Sequence, residues 1–284
     1  DDELPELTHS LMHLLWPNCM RPLPSFAMLQ FEPLKRPLPE LLIPAQTPVE
    51  SHPVDGVRCR FRTAGPTRLL PLDLEHVSYH SHSLGARLEL RLQLTAEGSL
   101  NSVKLDTLRL HLSGDEHVSR NLYLFLTQHL QSIGVQALDA DGQPLGAEHC
   151  SLTLPSDHLT AAGFEAEQAL LPYADNTFNG YRHLQEYFAF AEKFLFVELK
   201  GLDQWQQRAG DSLKAARALS LQFELRHPDC RQISPGREHL RLHCAPVVNL
   251  FAHDATPIRL DDRQDRYLLR PSELPGEHCG IFSV

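Results

Sequence analysis

Histidine and cysteine residues with the spacing of zinc ligands lie in the C-terminal third of the chain. His227-x-x-Cys230 is followed by His239-x-x-x-His243 and then directly by Cys244. Imidazole and thiolate groups at such spacings form tetrahedral zinc sites. The alternation of a strand, however, directs His239 and His243 to one face and Cys244 to the other. We therefore expect Cys244 to face the core, away from the two histidines, and no metal to bind.

Two further histidine groups also have spacings that metals use. His76, His80 and His82 would share one face of a strand, and His9 and His13 lie four residues apart on a predicted helix. No glutamate follows His9 as it does in the zinc-protease motif, and no third ligand has a defined position. Outward-facing strand histidines need no metal. We expect solvated histidines in both groups.

Acidic residues give no complete catalytic or calcium-binding pattern. Asp139–Gly142 and Asp261–Asp265 resemble parts of calcium loops, but neither continues to the closing glutamate, which favours turns. Glu186 and Glu192 lack an acidic or histidine partner at a motif spacing. A Gly-x-Ser-x-Gly elbow, a P-loop and a Gly-x-Gly-x-x-Gly turn are absent from the sequence. No motif therefore marks an active site, although one could still be assembled from residues that are distant in the sequence.

The composition restricts the class of protein. The 284 residues carry a net charge of −10, with 42% hydrophobic and 22% charged residues, as in a soluble globular protein. This charge argues against a nucleic-acid binder, and no apolar run approaches the roughly 20 residues of a membrane span. Six cysteines without a Cys-x-x-Cys pair indicate free thiols in a reducing compartment. The opening residues, without Met or a signal peptide, suggest a segment of a longer protein.

Aromatic residues are concentrated in Gly180–Leu199. A helix is predicted there, followed by a buried strand from Phe194 onward. The apolar stripe of that helix consists of Tyr181, Leu184, Phe188 and Ala191. We expect Tyr181, Phe188 and Phe196 to be buried in the core, so that Phe188→Ala would unfold or aggregate the domain.

The remaining pattern is that of a mainly β (α+β) protein with antiparallel, sandwich-like or barrel-like sheets and two or three helices. Helices are predicted over residues 3–15 and 119–132, the second with Gly134 as its C-cap. The predicted strands are 26–31, 41–43, 58–63, two within 67–94, 105–112, 135–138, 218–226, 239–244 and one near 266–269. Residues 203–216 are predicted to form a polar loop.

The predicted organisation has three parts. Residues 1–24 form an N-terminal helix and a proline-rich extended arm. Residues 25–160 form a β-rich domain with one helix, and residues 161–284 form a second β-rich domain. One continuous domain is the alternative.

Six sequence motifs occur along the chain in a defined order. They are Leu4-Pro-Glu-Leu-Thr-His-Ser-Leu-Met12 with Leu14-Leu-Trp-Pro17, Cys59-Arg-Phe-Arg-Thr63, Leu170-Leu-Pro-Tyr173, Gly180-Tyr-Arg-His-Leu-Gln-Glu-Tyr-Phe188, Glu192-Lys-Phe-Leu-Phe196 and Val248-Asn-Leu-Phe251. With these motifs the chain resembles the TssF family, also called ImpG or VasA. The signature residues are Trp16, Pro17, Phe61, Arg62, Pro172, Tyr173, Gly180, Tyr181, Arg182, Glu186, Tyr187, Phe188, Lys193, Phe194, Asn249 and Phe251.

This resemblance implies a structural component of the type VI secretion system baseplate wedge, without enzymatic activity, metal or cofactor. Family members assemble as two TssF copies with one TssG, engage TssK and TssE, and nucleate the contractile tail. The implied location is cytoplasmic, at the inner face of the bacterial inner membrane, without membrane insertion or nucleic acid. The alternatives are a metal-dependent hydrolase and a β-sandwich ligand-binding module, although the latter normally exposes aromatic residues.

Two departures from the family pattern are visible. Ala191 stands where the family usually has proline before Glu-Lys-Phe, which would let the preceding helix continue. The chain also resembles a fragment without the family's N-terminal leader and much of its C-terminal part.

Overall fold

The computed structural model describes residues 5–15, 20–53, 56–147, 149–173, 178–259, 267–272 and 280–283. These residues form fifteen strands in four antiparallel sheets, with four α-helices. The prediction of a mainly β protein with antiparallel sheets is confirmed, with four helices described instead of two or three. The helices are α1 (Pro5–Leu15), α2 (Glu116–Gln128), α3 (Asn179–Ala189) and α4 (Leu202–Ala209).

The strands are short, apart from β6, β7 and β9. In chain order they are β1 (Phe26–Gln30), β2 (Leu41–Ile43), β3 (Pro48–Glu50), β4 (Arg60–Thr63), β5 (Thr67–Leu69), β6 (Leu72–His82), β7 (Gly85–Leu94), β8 (Thr107–Leu112), β9 (Leu130–Leu138), β10 (Ser151–Pro155), β11 (Leu159–Ala162), β12 (Phe196–Lys200), β13 (Ala218–Leu225), β14 (Leu240–Arg241) and β15 (Cys244–Val248). The sheet orders are β10-β9-β13-β7-β6, β11-β12-β8-β14, β1-β15-β4-β3 and β2-β5.

The main core joins the five-stranded sheet to the β11-β12-β8-β14 sheet. On β7, Leu88, Leu90 and Leu92 are fully buried, whereas Arg87 is exposed on the other face, as the period-2 pattern predicted. Buried side chains of both sheets, of α2 and of α4 belong to one continuous apolar cluster. The arrangement is therefore sandwich-like, and within the described residues each sheet has two open edges.

Two local predictions were wrong because sheet pairing and burial outweighed the local pattern. The helix predicted to extend to residue 132 ends at Gln128, and Gly134 lies inside β9, opposite Gln222 of β13 and Thr153 of β10. Tertiary pairing on both sides of β9 decides its conformation. Residues 203–216, predicted as a loop, contain most of α4 and a 3-10 helix, anchored by buried Trp205.

The missing family proline at Ala191 does not let α3 continue. Helix α3 ends at Ala189, Phe190 adopts φ −155° and ψ 75°, and a 3-10 helix follows before β12 begins at Phe196. The Phe190 ring stacks on Phe26 of β1 with centroids 6.1 Å apart. This contact requires the chain to leave the helix axis, so the break is imposed by tertiary packing and needs no proline.

Both large sheets and the β1-β15-β4-β3 sheet combine strands from before and after residue 160. Strand β13 pairs with β7 and β9, strand β12 pairs with β8, and strand β15 pairs with β1 and β4. The three-part division of the chain stays a prediction. Within the described segments, no helix has the length and apolar character that a bilayer crossing requires.

At the C-terminal end, Tyr267–Leu269 are described outside any strand, so the strand predicted near residues 266–269 is not found there. Arg266 lies outside the described residues.

Candidate protein interface around helix α3

The buried face of α3 is its charged face. Arg182 and Glu186, one helical turn apart, are both buried, and Glu186 is 0% exposed. Burying a carboxylate is costly unless it is paired and hydrogen-bonded. No acidic or histidine partner was expected for Glu186, and its partners in the structure are two cations and two backbone N–H groups.

Glu186 has partners on both oxygens. Its Oε1 accepts hydrogen bonds from the backbone N–H groups of Leu170 (2.9 Å) and Leu171 (3.1 Å), and its Oε2 pairs with the buried ammonium of Lys193. The guanidinium of Arg182 lies 3.9 Å away. The carboxylate thus ties α3 to the 3-10 helix after it and to residues 170–171. A carboxylate held this way is a structural anchor, because its lone pairs are committed.

Lys193 is fully buried in closely packed surroundings. Burial lowers the pKa of its ammonium, and the negative charge of Glu186 opposes that effect. Gly163, at φ +101°, comes so close to Lys193 that an added Cβ would lie 2.6 Å from its backbone oxygen. Only glycine adopts this conformation without strain and leaves this space.

The opposite face of α3 is apolar and points to solvent. Phe188 is 84% exposed, Leu184 55% and Tyr181 47%, and Phe178 just before the helix is 73% exposed. The predicted burial of Tyr181 and Phe188 was therefore wrong, whereas the predicted burial of Phe196 is confirmed. The helix carries Tyr181, Leu184 and Phe188 of its expected apolar stripe, whereas Ala191 lies in the 3-10 helix that follows, and the buried ion cluster turns the stripe outward.

A groove of about 470 Å³ runs between α2 and α3 beside this face. The buried ring of Phe194 lies 5.0 Å from the ring of Phe164 and 6.0 Å from that of Tyr187. The imidazole of His183 donates from Nε2 to the Phe164 carbonyl at 3.1 Å. The described residues along the groove are Arg120, Tyr123, Phe164, Gly180, His183, Leu184, Tyr187, Ala191, Phe194 and Leu195.

Residues 170–173 lie against both α3 and β4, and they include the signature residues Pro172 and Tyr173. Arg62 of β4 lines a cavity with Leu170, Leu171 and Pro172, and burial lowers its pKa. The half-buried Tyr173 hydroxyl donates to Gln185 of α3.

The motif at the end of β15 contacts β4. The amide of Asn249 donates to the Arg60 carbonyl at 2.7 Å, and the Arg60 guanidinium lies 5.6 Å from the Phe251 ring centroid. Phe61 of β4 is half-buried. Trp16 and Pro17 lie outside the described residues. The signature role of the whole set stays a prediction.

The zinc-like set in the C-terminal third has separate local partners. Cys230 is buried, and Cys244 is buried as expected. The Nδ1 of His227 accepts from the Asp229 N–H (3.2 Å), the Nδ1 of His239 from Gly236 N–H (3.0 Å), and the Nε2 of His243 from Leu70 N–H (3.1 Å). His243 is buried with φ +59°, which interrupts the expected strand alternation. Burial lowers its pKa to about 4.

The other histidine groups lie at the surface. His76, His80 and His82 share the solvent face of β6, and His76 and His80 pair opposite Arg91 and Arg87, whose charge opposes a bound cation. On α1, His9 is exposed, whereas the side chain of His13 lies outside the described part of the chain. Among the described residues, no group of three or more His, Cys, Asp and Glu side chains could hold a metal.

The calcium-like segment Asp139–Gly142 is a turn, as expected. The Asp139 side chain accepts from the N–H groups of Asp141 and Gln143, and Gly142 has φ +74°. Asp261–Asp265 lies outside the described residues.

Sequence reasoning missed the ion cluster and the groove. The only local signal was Arg182 four residues before Glu186, a spacing at which helical side chains meet. Lys193 lies beyond the helix break at Phe190, and that break brings it close to Glu186. The hydrophobic periodicity of the sequence does not predict the break.

Comparison with known proteins identifies the family. A family model described as "Type VI secretion system, TssF" matches residues 1–284. The chain belongs to the TssF family. This TssF-family chain is 31% identical over 289 residues to the type VI secretion system component TssF1 of Pseudomonas aeruginosa PAO1, an alignment that covers 94% of this chain and 44% of that protein. The resemblance inferred from the six motifs is confirmed.

A solved structure is similar over the whole TssF-family chain. It is a chain of the type VI secretion system TssK-TssF-TssG baseplate subcomplex, determined by cryo-electron microscopy, with 31% identity and a TM-score of 0.80. The match covers 100% of this chain and 52% of that one. The TssF-family chain therefore spans about half the length of the relatives that it matches.

Proposed function

We propose that this chain is part of a structural subunit of the type VI secretion system baseplate wedge, which assembles with TssG and TssK. The observation that carries the proposal is the full-length match, at a TM-score of 0.80 and 31% identity, to a chain of a TssK-TssF-TssG subcomplex. An assembly protein acts through the surfaces that its fold presents. A backbone shared along the whole chain therefore supports a shared role.

The described surfaces agree with an assembly role. Helix α3 exposes Phe188 and Leu184, next to the exposed Phe178 that directly precedes the helix, and contiguous apolar patches of this kind mark interaction sites. The carboxylate of Glu186, the single acidic residue of α3, is committed to Lys193 and two backbone N–H groups. We propose a function without catalysis, metal or cofactor.

The proposal also includes the copy number, a contact with TssE and the location of the assembly. Two copies of the protein join one TssG, the wedge also engages TssE, and the assembly nucleates the contractile tail. It works in the cytoplasm, docked at the inner-membrane complex.

Co-expression tests the proposal. The full-length protein that contains this chain is co-purified with TssG and TssK, and the mass of the complex is measured by native mass spectrometry. We expect a stable complex with two copies per TssG. If all three proteins are folded and no complex forms, the proposed function is wrong; a complex with another copy number would reject only the stoichiometry.

A further inference from the structure

We propose that the groove between α2 and α3, with the exposed apolar face of α3, receives an amphipathic helix of a neighbouring baseplate subunit. That helix carries a carboxylate at the edge that faces Arg120. The inference rests on the proposed function and deepens it by assigning a surface and the chemistry of its occupant.

The surface is apolar, concave and continuous with exposed aromatic rings. The buried ring of Phe194 lies within 6.0 Å of the rings of Phe164 and Tyr187, which line the groove, and Tyr187 contacts the ring of Phe188 at a centroid distance of 5.8 Å. Large aromatic side chains beside a pocket are the residues that carry most of the binding energy in protein interfaces.

The surface is also rigid before binding. Helix α3 is fixed from below by the ion pair of Glu186 and Lys193 and by the hydrogen bonds from Leu170 and Leu171. An interface held in its bound geometry loses less conformational entropy on association. The buried charges therefore have a use in binding, because they keep the aromatic face turned outward.

The spacing of the exposed residues fits a helical partner. Gly180, Leu184 and Tyr187 line the groove from one side of α3 at intervals of four and three residues, Tyr181 and Phe188 lie beside it, and α2 forms the other wall. A groove between two helices accepts an amphipathic helix through apolar residues at i, i+3, i+4 and i+7. A third helix in this groove would cover both walls at once.

The charge of the groove lining favours an acidic residue at the edge of the partner helix. Among the described residues that line the groove, Arg120 supplies a full charge and no carboxylate is present. Arg120 pairs with Glu116 on its own helix, but both side chains are largely exposed, and such pairs are weak. A partner carboxylate can therefore engage Arg120 from across the groove.

The same charge disfavours a second copy of this chain as the occupant. A symmetric contact through this surface would place the same patch on both sides, and the described groove lining of neither copy holds a carboxylate for the Arg120 of the other. A different subunit with an acidic helix edge supplies that carboxylate.

The test uses the full-length protein with TssG and TssK as the probes. The variant Leu184→Glu/Phe188→Glu places charge on the α3 face, and Leu84→Glu is the matched control, because Leu84 is 59% exposed in the turn between β6 and β7 and outside the groove. We expect the α3 variant to weaken the complex at least about thirtyfold. The control should bind like the wild type. Thermal unfolding should show that the wild type, the α3 variant and the control are all folded.

A photo-crosslinker at position 188 identifies the occupant in the assembled complex. We expect a cross-link to a TssG or TssK peptide with helical apolar spacing and an acidic residue. Cross-links only to the same chain or to a second copy, or unchanged binding of the α3 variant, would overturn the inference. If the wild-type protein binds neither TssG nor TssK, the proposed function itself fails, so the two failures are distinguishable.

Discussion

Glu186 neutralises a buried ammonium and accepts two backbone hydrogen bonds at the same time. At the scale of single residues, this carboxylate decides the orientation of α3. A buried ion pair adds little net stability compared with an apolar pair, but breaking it leaves an uncompensated charge. Removing either partner therefore destabilises the fold by more than the intact pair stabilises it.

Glu186→Gln should lower the free energy of unfolding by about 3–5 kcal/mol, because it leaves the ammonium of Lys193 buried without a counter-charge. Urea unfolding at pH 7 measures the loss. The exposed Glu192, on the 3-10 helix that follows α3, provides the control Glu192→Gln, which should change stability by less than about 0.5 kcal/mol. Equal effects of the two substitutions would contradict the assignment.

The loss caused by Glu186→Gln should shrink as the pH rises. Burial lowers the pKa of Lys193 below its ordinary value of 10.5, so the unfolded chain holds more protons than the folded chain between the two pKa values. Stability then rises with pH across that window. Without Glu186 the pKa of Lys193 in the folded variant falls further. The lysine of the variant therefore becomes neutral at a lower pH, and the variant then no longer buries an unpaired charge. A destabilisation that stays constant from pH 7 to 10 would argue against a charged Lys193.

His243 should make the fold sensitive to acid. Burial lowers its folded pKa to about 4 from 6.5, although the charge of Asp73 acts in the opposite direction. The unfolded chain binds more protons between these values, so stability falls as the pH drops from 6.5 towards 4, by about 3 kcal/mol in full. His243→Gln retains an acceptor for the N–H of Leu70 and should flatten urea-derived stability between pH 7 and 4. An unchanged slope would show that His243 does not titrate in this way.

At the scale of elements, α3 and β12 are adjacent in the chain and have opposite environments. Phe188 lies on the exposed face of α3, whereas Phe196 begins a buried strand and packs 4.6 Å from the ring of His111. The helix contributes a surface and the strand contributes to the core.

Phe196→Ala should cost about 3–5 kcal/mol of stability, because it leaves a cavity in the core. Phe188→Ala should change stability by less than about 0.5 kcal/mol, because its ring is already in solvent. Chemical denaturation of both variants makes the comparison. A Phe188→Ala protein that unfolds or aggregates would reinstate the core position expected from the sequence.

At the scale of the whole molecule, strand pairing across residue 160 dominates the architecture. Strand β13 lies between β7 and β9 in the five-stranded sheet, although it follows them by about eighty residues or more of chain. Its removal would expose two strand edges and the buried side chains of the sheet, and exposed edges promote aggregation.

A fragment of residues 25–160 should therefore fail to fold alone. We expect an insoluble protein or one without a cooperative thermal transition by circular dichroism. Residues 1–259, which retain β13 and β15, serve as the folded control. A cooperative transition in the short fragment would support the division at residue 160 and contradict the dominance of β13.

The sequence by itself determined the strands with clean alternation, such as β7, and the amphipathic character of α3. These follow from local periodicity, which is present in any window of the chain. It also determined the family, because the six ordered motifs are a property of the sequence.

Only the tertiary structure decided which face of α3 is buried. An apolar stripe predicts burial, because the hydrophobic effect favours it. Here the pairing of Glu186 with Lys193 and with the N–H groups of Leu170 and Leu171 determines the orientation. Those partners come together only after the chain breaks at Phe190 and packs on β1, so the resulting aromatic surface cannot be derived from spacing alone.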